Sequence, residues 1–455
     1  MDRPLSLLTE LQPRGIGRQD RLLLLFALAN AGGVVAYAPL LTLLLPGRIM
    51  GVAGPAHIQW VGATVLAGAV AASVSNILWG WLSDVAGTRR RWATVGLCLT
   101  VASYVPLFLA TSLPAIIAAV CLYQFMLNML LAPLAAWMAQ GVPDDRKGRL
   151  GGWLGAGPLV GALAGVAATF HGATGAWLPL AVVCVLVVAF TAPLLVLQPA
   201  TANPPMAVRV TPPEARFGGD LVALWIARLL VQVAGGTLFG FLLLYFHALA
   251  TAPADGQVAQ LSAGALLLAF PIAYVFGAKS DRIGRRKPFL VVTAAVAAAG
   301  LMIMGQATAF MLCAFGYLLF AVGSNVFLAL HSGYAMQLLP SPARCGRDLG
   351  LINLSNTLPS IVAPVLALWL VPAHGFSLLL TILSALLLLA GLIVLLVRRD
   401  DAGSGDSRQR SAVDAVDQLA GAAVPRQTIP AVWPERQHSY QPRIRANDRL
   451  VRERK

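Results

Sequence analysis

The sequence predicts an all-α membrane protein in which twelve transmembrane helices form two related six-helix halves. Apolar residues make up 58% of the chain and charged residues only 11%, whereas soluble domains are about 25% charged. Charged and Gly/Pro-rich breaks divide the chain into twelve apolar segments. A tract at the end of the second segment recurs at the end of the eighth, which indicates that the two halves are versions of one unit.

Each apolar segment is close to the ~20 residues that a helix needs to cross ~30 Å of hydrocarbon. We predict spans at residues 21–46, 58–83, 92–112, 114–140, 150–171, 175–198, 221–247, 258–279, 288–307, 309–338, 349–372 and 375–397. The loops after the third and fifth spans are so short that the helices they join must be antiparallel.

Lysine and arginine concentrate in alternate loops, which predicts the orientation. One set of loops carries Arg89, Arg90, Arg91, Arg146, Lys147, Arg149, Arg209, Arg216, Lys279, Arg282, Arg285, Arg286, Lys287, Arg344 and Arg347, and the other set carries Arg48 alone. Because basic residues stay on the cytoplasmic side, we expect both termini to be cytoplasmic. The net charge of +14 then reflects orientation rather than nucleic-acid binding, since no aromatic residues alternate with the basic ones.

The polar stretches divide the chain further. We predict a cytoplasmic segment at 1–20, halves at 21–198 and 221–398, a proline-rich cytoplasmic connector at 199–220 and a disordered cytoplasmic tail at 399–455. The first 20 residues are polar and lack a small-residue cleavage site, which argues against a cleavable signal. The basic end of the tail either touches anionic lipid headgroups or has no function.

Motifs for other kinds of chemistry do not occur in the sequence. It has no CxxC, HExxH or GxxxxGK[ST] spacing, and four of its five cysteines fall within predicted spans. Disulfides, a metal site, a cofactor and nucleotide hydrolysis are therefore not expected. The chain is not expected to be an enzyme.

A Gly-x-x-Ser-Asp-x-x-Gly tract followed by basic residues occurs in both halves. Its candidate functional residues are Gly80, Asp84, Gly87, Arg89 and Arg90 in the first copy, and Gly277, Asp281, Arg282, Gly284, Arg285 and Arg286 in the second. A carboxylate beside a helix N-terminus contributes ~0.3 to 1 kcal/mol, enough to bias a balanced equilibrium between two conformations. Alternatively, these charges serve only as orientation signals.

Twelve spans in two halves, each half with this tract, resemble the major facilitator superfamily of secondary transporters over roughly residues 20–398. The resemblance implies alternating access and a conformational lock. Asp84 would face the start of the eleventh span near Asp348 and Leu349, and Asp281 the start of the fifth. The second copy, with Arg282 and Arg285, is closer to the family pattern. Val85 replaces the usual basic residue in the first copy and leaves its basic partner open.

Amide side chains occur inside spans one, two, four, seven, ten and eleven, whereas spans three, six, nine and twelve have none away from their ends. Polar groups that face lipid are costly, so they collect where helices meet or line a wet cavity. In the resembled family, spans one, four, seven and ten line the central cavity. The candidate substrate contacts are Asn30, Tyr37, Gln124, Asn128, Arg228, Gln232, Asn325, His331, Asn353 and Asn356.

Two of these candidates are ionisable. Arg228 stands roughly 12 Å inside its helix, measured from Asp220. It either clamps an anion or hydroxyl group or extends along the helix to the lipid headgroups. His331 is either a neutral packing residue or a proton carrier. No Asp or Glu lies in the middle of a predicted span, so coupling to a proton or cation is weakly supported and facilitated diffusion remains open.

Small residues in the fifth span, Gly157, Gly161 and Gly165 with Pro158, predict close helix packing. The alternative is functional, because Gly157, Pro158 and Gly161 resemble part of a motif of exporters in the superfamily. Against an exporter, residues 348–364 (DLGLINLSNTLPSIVAP) resemble the corresponding stretch of glycoside and sucrose carriers.

These observations predict a monomeric secondary transporter in a bacterial inner membrane. Its partners are the lipid bilayer and a small polar organic solute, a sugar or glycoside ahead of an amphipathic drug or metabolite, because amides pair with hydroxyl groups. A coupling proton or cation is left open, and nucleic acid is not a partner. The alternative from another class is a nutrient receptor that signals through residues 400–455.

Overall fold

The computed structural model of the chain describes residues 17–54, 57–86, 88–169, 177–197, 218–249, 253–341 and 344–398. Within these ranges all regular structure is helical. The predicted tail, nearly all of the N-terminal segment and connector, and Gly87 of the first tract lie outside the described residues.

Twelve stretches of the described residues are long and apolar enough to cross a membrane, which confirms the predicted fold class. We number them spans 1 to 12 in chain order. Spans 2, 4, 6, 7, 8, 9 and 10 are single helices: His57–Ala86, Leu113–Gly141, Trp177–Leu197, Gly219–His247, Asp255–Ile283, Lys287–Gln306 and Phe310–Gln337.

The other five spans are broken or bent. Span 1 comprises the helix Arg18–Pro39, the π-helical turn Leu40–Leu44 and the helix Leu45–Ala53, and span 3 comprises the helices Arg89–Ala102 and Tyr104–Leu109. Span 5 follows the 3₁₀ turn Asp144–Arg146 and comprises the helices Lys147–Leu154 and Gly157–Thr169. Spans 11 and 12 together comprise the helices Cys345–Thr357 and Pro359–Leu395. The last helix changes direction at Gly375, whose φ of +71° suits a residue without Cβ. This bend separates span 11 from span 12.

Spans 5 and 11 begin earlier than the sequence predicted. Their first helices start at Lys147 and Cys345, whereas apolarity alone placed the starts at residues 150 and 349. The difference arises because the first helical turns contain polar residues and project beyond the apolar part of the span. These turns provide the contacts between the two halves.

Each half has its own apolar core, and both belong to one compact unit, Met1–Gly403. The core of the first half also includes Met336 and Cys345, which come from spans 10 and 11 of the second half. The halves therefore share buried surface where span 10 ends and span 11 begins. This is the end of the bundle at which the basic loops lie, and we call it the basic end.

Glycines allow the two backbones to touch at the basic end. A Cβ on Gly80 would lie 2.3 Å from the carbonyl oxygen of Gly346, and a Cβ on Gly277 would lie 2.2 Å from that of Gly148. No side chain fits at such distances. The Gly that begins each copy of the tract is therefore required where span 2 crosses span 11 and where span 8 crosses span 5.

Candidate functional site

The first junction between the halves is built around Asp84. Its carboxylate oxygens accept hydrogen bonds from the backbone N–H groups of Gly346 and Arg347, both at 2.9 Å. Arg89 forms a salt bridge with the same carboxylate, which leaves 4% of the Asp84 side chain exposed. Arg89 also donates to Ser83 Oγ. A carboxylate from the first half thus caps the helix start of span 11, where backbone N–H groups lack intrahelical partners.

The second junction repeats this arrangement around Asp281. The backbone N–H groups of Gly148 and Arg149 donate to its carboxylate, both at 2.7 Å. Arg286 Nη2 donates to Asp281 Oδ1 at 2.9 Å and to the backbone oxygen of Asp144 at 2.7 Å. Arg286 therefore bonds to both halves. The hydrogen-bond partners of Arg89 among the described residues all belong to the first half.

Of the basic residues that the sequence suggested, one in each tract pairs with the aspartate: Arg89 with Asp84 and Arg286 with Asp281. Arg282 and Arg285 are exposed, and Arg286 is buried against Asp281. In both tracts the partner stands five residues after the aspartate. Gly284, with φ of +73°, ends the span 8 helix and turns the chain so that the arginine faces back to the carboxylate. The next arginine in the first copy, Arg90, is half-buried.

Residues next to the capped helix starts distinguish the junctions. Lys147 precedes Gly148, is buried, and donates to the backbone oxygen of Met336 at 3.1 Å. The corresponding position before Gly346 is Cys345, also buried. At the first junction Asp348 is only 1% exposed, and its Oδ2 has no partner among the described residues.

Asp348 and Asp220 stand where spans 11 and 7 begin, a place where a carboxylate can cap its own helix, but neither does so. Asp348 accepts hydrogen bonds from the guanidinium of Arg347. Asp220 accepts one from the backbone N–H of Arg398, after the end of span 12, at 3.0 Å. Both residues lie inside the first turn rather than at the capping position before it, because the helices begin earlier than predicted.

A polar cluster lies between spans 7, 10 and 11. Arg228 Nε donates to Asn356 Oδ1 at 2.9 Å, and Arg228 Nη1 lies 3.2 Å from both His331 Nδ1 and Ser332 Oγ. Gln232 Nε2 donates to Asn356 Oδ1 at 2.8 Å. Asn356 in turn donates to Asn353 Oδ1 at 2.7 Å. The guanidinium of Arg228 is therefore directed to spans 10 and 11 and does not extend to the headgroups.

His331 is fully buried, with 0% exposure. Its Nε2 lies 2.9 Å from the backbone oxygen of Leu224, an atom that only accepts hydrogen bonds. We therefore assign the proton to Nε2, which leaves Nδ1 as the acceptor for Arg228. The ring also stacks on Phe327, with centroids 5.9 Å apart. These contacts are those of a neutral histidine.

Tyr37 of the first half faces the polar cluster. It is 38% exposed and lies near enough to Arg228 for the two groups to interact electrostatically across the halves. Asn30, two helical turns earlier, lies against Gly157, where an added Cβ would be 3.5 Å from Asn30 Nδ2. We call the region between Tyr37 of span 1 and the cluster of spans 7, 10 and 11 the central space.

Two predicted cavity residues, Gln124 and Asn128, pack elsewhere, and a third, Asn325, bonds within its own helix. Asn128 is 3% exposed, accepts a hydrogen bond from Asn76 Nδ2 at 2.7 Å and donates to the backbone oxygen of Gln124 at 2.8 Å. The Gln124 side chain packs against Gly68 of span 2. Asn325 donates to the backbone oxygen of Ala321 in its own helix at 2.7 Å. Asn128 and Gln124 thus pack between spans 2 and 4. The sequence indicated the span in which these residues lie but not the helix face that they occupy.

The glycine stripe of span 5 packs against span 1. A Cβ at Gly157 or Gly161 would lie 3.0 or 2.9 Å from Val34, and one at Gly165 would lie 3.0 Å from Leu43. Pro158 is exposed. The stripe therefore lets the two helices approach closely.

The described residues contain no group of three or more His, Cys, Asp and Glu side chains that could hold a metal ion.

Comparison with known proteins agrees with this architecture. The profile of the Major Facilitator Superfamily matches residues 224–438, in the second part of the chain. Solved transporter structures match 82–84% of the chain with TM-scores of 0.64 to 0.68. The chain therefore has the fold of these transporters, and its second part is similar to the Major Facilitator Superfamily.

Three solved transporters have a similar fold. The human organic anion transporter MFSD10 (TETRAN) has 16% identity and a TM-score of 0.64, with 83% of this chain and 99% of that chain covered. The MFS proton:xylose symporter XylE has 14% identity and a TM-score of 0.68, with 84% of this chain and 97% of that chain covered. A bacterial homologue of the iron transporter ferroportin, in an outward-facing state, has 16% identity and a TM-score of 0.66, with 82% of this chain and 98% of that chain covered. A search of curated protein sequences finds no significant match.

Proposed function

We propose that this protein is a transporter of the major facilitator superfamily and that it carries a small polar organic solute, a sugar or glycoside in the simplest case, across a bacterial inner membrane by alternating access. The observation that carries the proposal is the position of the polar cluster around Arg228. It lies in the central space between the halves, while the two junctions close the bundle at the basic end.

The junctions supply the conformational lock. Each places a nearly dry carboxylate against the N-terminus of a helix from the other half, where the helix dipole and the free N–H groups favour negative charge. Opening the basic end removes both aspartates from these donors. If the basic end is cytoplasmic, as the distribution of lysine and arginine predicts, the structure corresponds to a state closed toward the cytoplasm.

The cluster favours hydroxylated solutes. Gln232 Oε1 and Asn353 Nδ2 have no partner among the described residues, and together they offer one acceptor and one donor to a hydroxyl group. Similar folds serve a sugar symporter and an organic anion transporter, so both solute types are compatible with this scaffold. The described middle parts of the spans contain no carboxylate to hold a coupling cation, which favours facilitated diffusion.

Flux into proteoliposomes tests the proposal. Purified protein is reconstituted, and uptake of radiolabelled glucose, methyl glucoside, sucrose and glucuronate is compared with that of amphipathic cations. We expect saturable uptake of at least one hydroxylated solute, reduced at least about tenfold by Gln232→Leu. A strict preference for amphipathic cations would reject the proposal. Removing residues 400–455 should leave uptake intact. If the cell instead loses a response to the solute while uptake is retained, the nutrient receptor that signals through these residues is favoured.

A further inference from the structure

We infer that the solute carries an anionic group, bound by Arg228, and is a hydroxylated organic acid rather than a neutral sugar. This inference rests on the proposed function and specifies the substrate class of the same central space. Three features of the described residues support it: the missing countercharge of Arg228, the donors that its guanidinium leaves free, and the neutral polar groups around it.

The first feature is the charge balance. The buried basic residues at the junctions each have a carboxylate partner: Arg89 pairs with Asp84, Arg286 with Asp281 and Lys147 with Asp144. Arg228 forms no salt bridge among the described residues, and its protein partners are an amide, an imidazole and a hydroxyl. A charge inside a membrane protein normally has a partner. The missing partner is an anion that binds from the central space.

The second feature is the set of donors that remain. An arginine has five N–H groups. Nε uses its hydrogen on Asn356 Oδ1, and Nη1 faces His331 Nδ1 and Ser332 Oγ. No described residue accepts from the two N–H groups of Nη2. The protein does not enclose this nitrogen, so it is accessible to a ligand. An anionic oxygen in the central space therefore has an accessible, charged donor that is held in place by three contacts.

The third feature is the neutral polar surroundings. His331 accepts from Arg228 and cannot supply negative charge, so it fixes the guanidinium without neutralising it. Gln232 and Asn353 keep free amide atoms for hydroxyl groups. Tyr37 brings a hydroxyl from the other half to within electrostatic range of Arg228, and this hydroxyl has no hydrogen-bond partner among the described residues. One charged donor surrounded by neutral hydrogen-bonding groups fits a monoanion that also carries hydroxyl groups.

Binding of matched probe pairs tests the inference on the full chain in nanodiscs. Each pair has the same carbon number, with and without the carboxylate: D-glucuronate with D-glucose, and D-gluconate with D-glucitol. We expect an acid to bind at least about tenfold more tightly than its neutral partner. Arg228→Gln should remove that preference, and Arg228→Lys should retain part of it. Tyr37→Phe should weaken binding of both members of a pair.

Two controls separate these effects from folding. Arg48→Gln removes a charge whose guanidinium donates to the backbone oxygens of Phe108 and Ala110 and lies over the Phe108 ring, and Tyr317→Phe removes a hydroxyl that bonds to Ser262. Both should bind the acids like the unmodified protein. Each variant is compared by its elution from a size-exclusion column.

The outcomes distinguish failure of the inference from failure of the proposed function. If the neutral members bind and cross the membrane as well as the acids, and Arg228→Gln changes neither, the solute is a neutral polyol and the inference is wrong while the proposed function stands. If chloride or phosphate binds and the organic acids add nothing, the anion site is inorganic and the inference is wrong. If none of the hydroxylated probes binds or moves, both proposals fail.

Discussion

The two junctions are built from the same tract but carry different charges. At the second junction, Arg286 bonds to both halves, and Lys147 adds a second buried cation beside the capped helix start. At the first junction, Cys345 takes the place of that lysine. A buried acid, Asp348, lies close enough to Asp84 for the two carboxylates to repel each other.

The repeated tract therefore produces the same geometry at both junctions, but it does not make the two junctions equally stable. Both aspartates cap a helix of the other half through two backbone N–H groups, at 2.9 Å in the first junction and 2.7 Å in the second. Among the buried groups, the first junction has one cation fewer and one acid more, because the partners of Lys147 and Asp348, Asp144 and Arg347, are 64% and 34% exposed. We therefore propose that the first junction is the weaker and separates first when the basic end opens.

Cys345 is a native reporter of that opening. Its thiol is 2% exposed and lies 3.8 Å from the backbone oxygen of Ala136 in the other half, so a thiol reagent reaches it only when the halves separate. The reporter background keeps Cys345 and replaces the other four cysteines by serine or alanine. The rate of Cys345 labelling in native membranes is the measurement for the predictions below.

The largest expected effect is that of Asp281→Asn. It leaves Arg286 buried without its carboxylate, and breaking a buried ion pair from one side costs about 3 to 5 kcal/mol. We expect Cys345 to become rapidly labelled. Asp145→Asn, which removes an exposed aspartate, should leave the labelling rate unchanged. Unchanged labelling in Asp281→Asn would show that the second junction does not hold the basic end closed.

Asp84→Asn should shift the equilibrium in the same direction by less. Hydrogen bonds to a charged group contribute about 1.5 to 3 kcal/mol, but Arg89 retains Ser83 and Gln140 as partners, and the repulsion from Asp348 disappears. Labelling of Cys345 should therefore be faster than in the unmodified protein and slower than in Asp281→Asn. Equal or faster labelling than in Asp281→Asn would contradict the proposed order of strength.

The junctions also show how far the sequence could predict the structure. Twelve spans and the crossing of Asp84 and Asp281 to the other half followed from apolar length, the doubled tract and a family resemblance. The sequence could not show which of the candidate arginines pairs with Asp281. That choice depends on the turn at Gly284, which brings Arg286 rather than Arg282 to the carboxylate. A residue five positions after the aspartate becomes a neighbour only after the helix has ended.

The central cluster was predictable to a similar extent. The sequence placed Arg228, Gln232 and Asn356 in spans expected to meet, and the structure joins them by hydrogen bonds. It could not place Asn128, because a helix that is apolar on all sides shows no hydrophobic periodicity to mark its face. Asn128 instead pairs with Asn76 between spans 2 and 4, where two amides satisfy each other away from lipid.

Steric substitutions at the two glycines should affect both junctions alike. An alanine Cβ would meet a backbone oxygen at 2.3 Å in Gly80→Ala and at 2.2 Å in Gly277→Ala, and such overpacking costs about 1 to 3 kcal/mol. We expect both variants to raise Cys345 labelling by similar factors. Gly264→Ala is the control, since no atom lies within 4 Å of an added Cβ there. A large difference between Gly80→Ala and Gly277→Ala would mean that geometry, and not charge alone, separates the junctions.

The smallest effect, and the only one of opposite sign, is expected for Asp348→Leu. Leu150 is the fully buried residue at the same position of the second junction, so the side chain is compatible with this helix start. Removing the carboxylate ends its repulsion of Asp84, on the order of 1 kcal/mol for partly screened charges. Cys345 should be labelled more slowly than in the unmodified protein. Asp348→Asn keeps the shape and should change the rate in the same direction, whereas faster labelling in both variants would mean that Asp348, through Arg347, helps to hold the halves together.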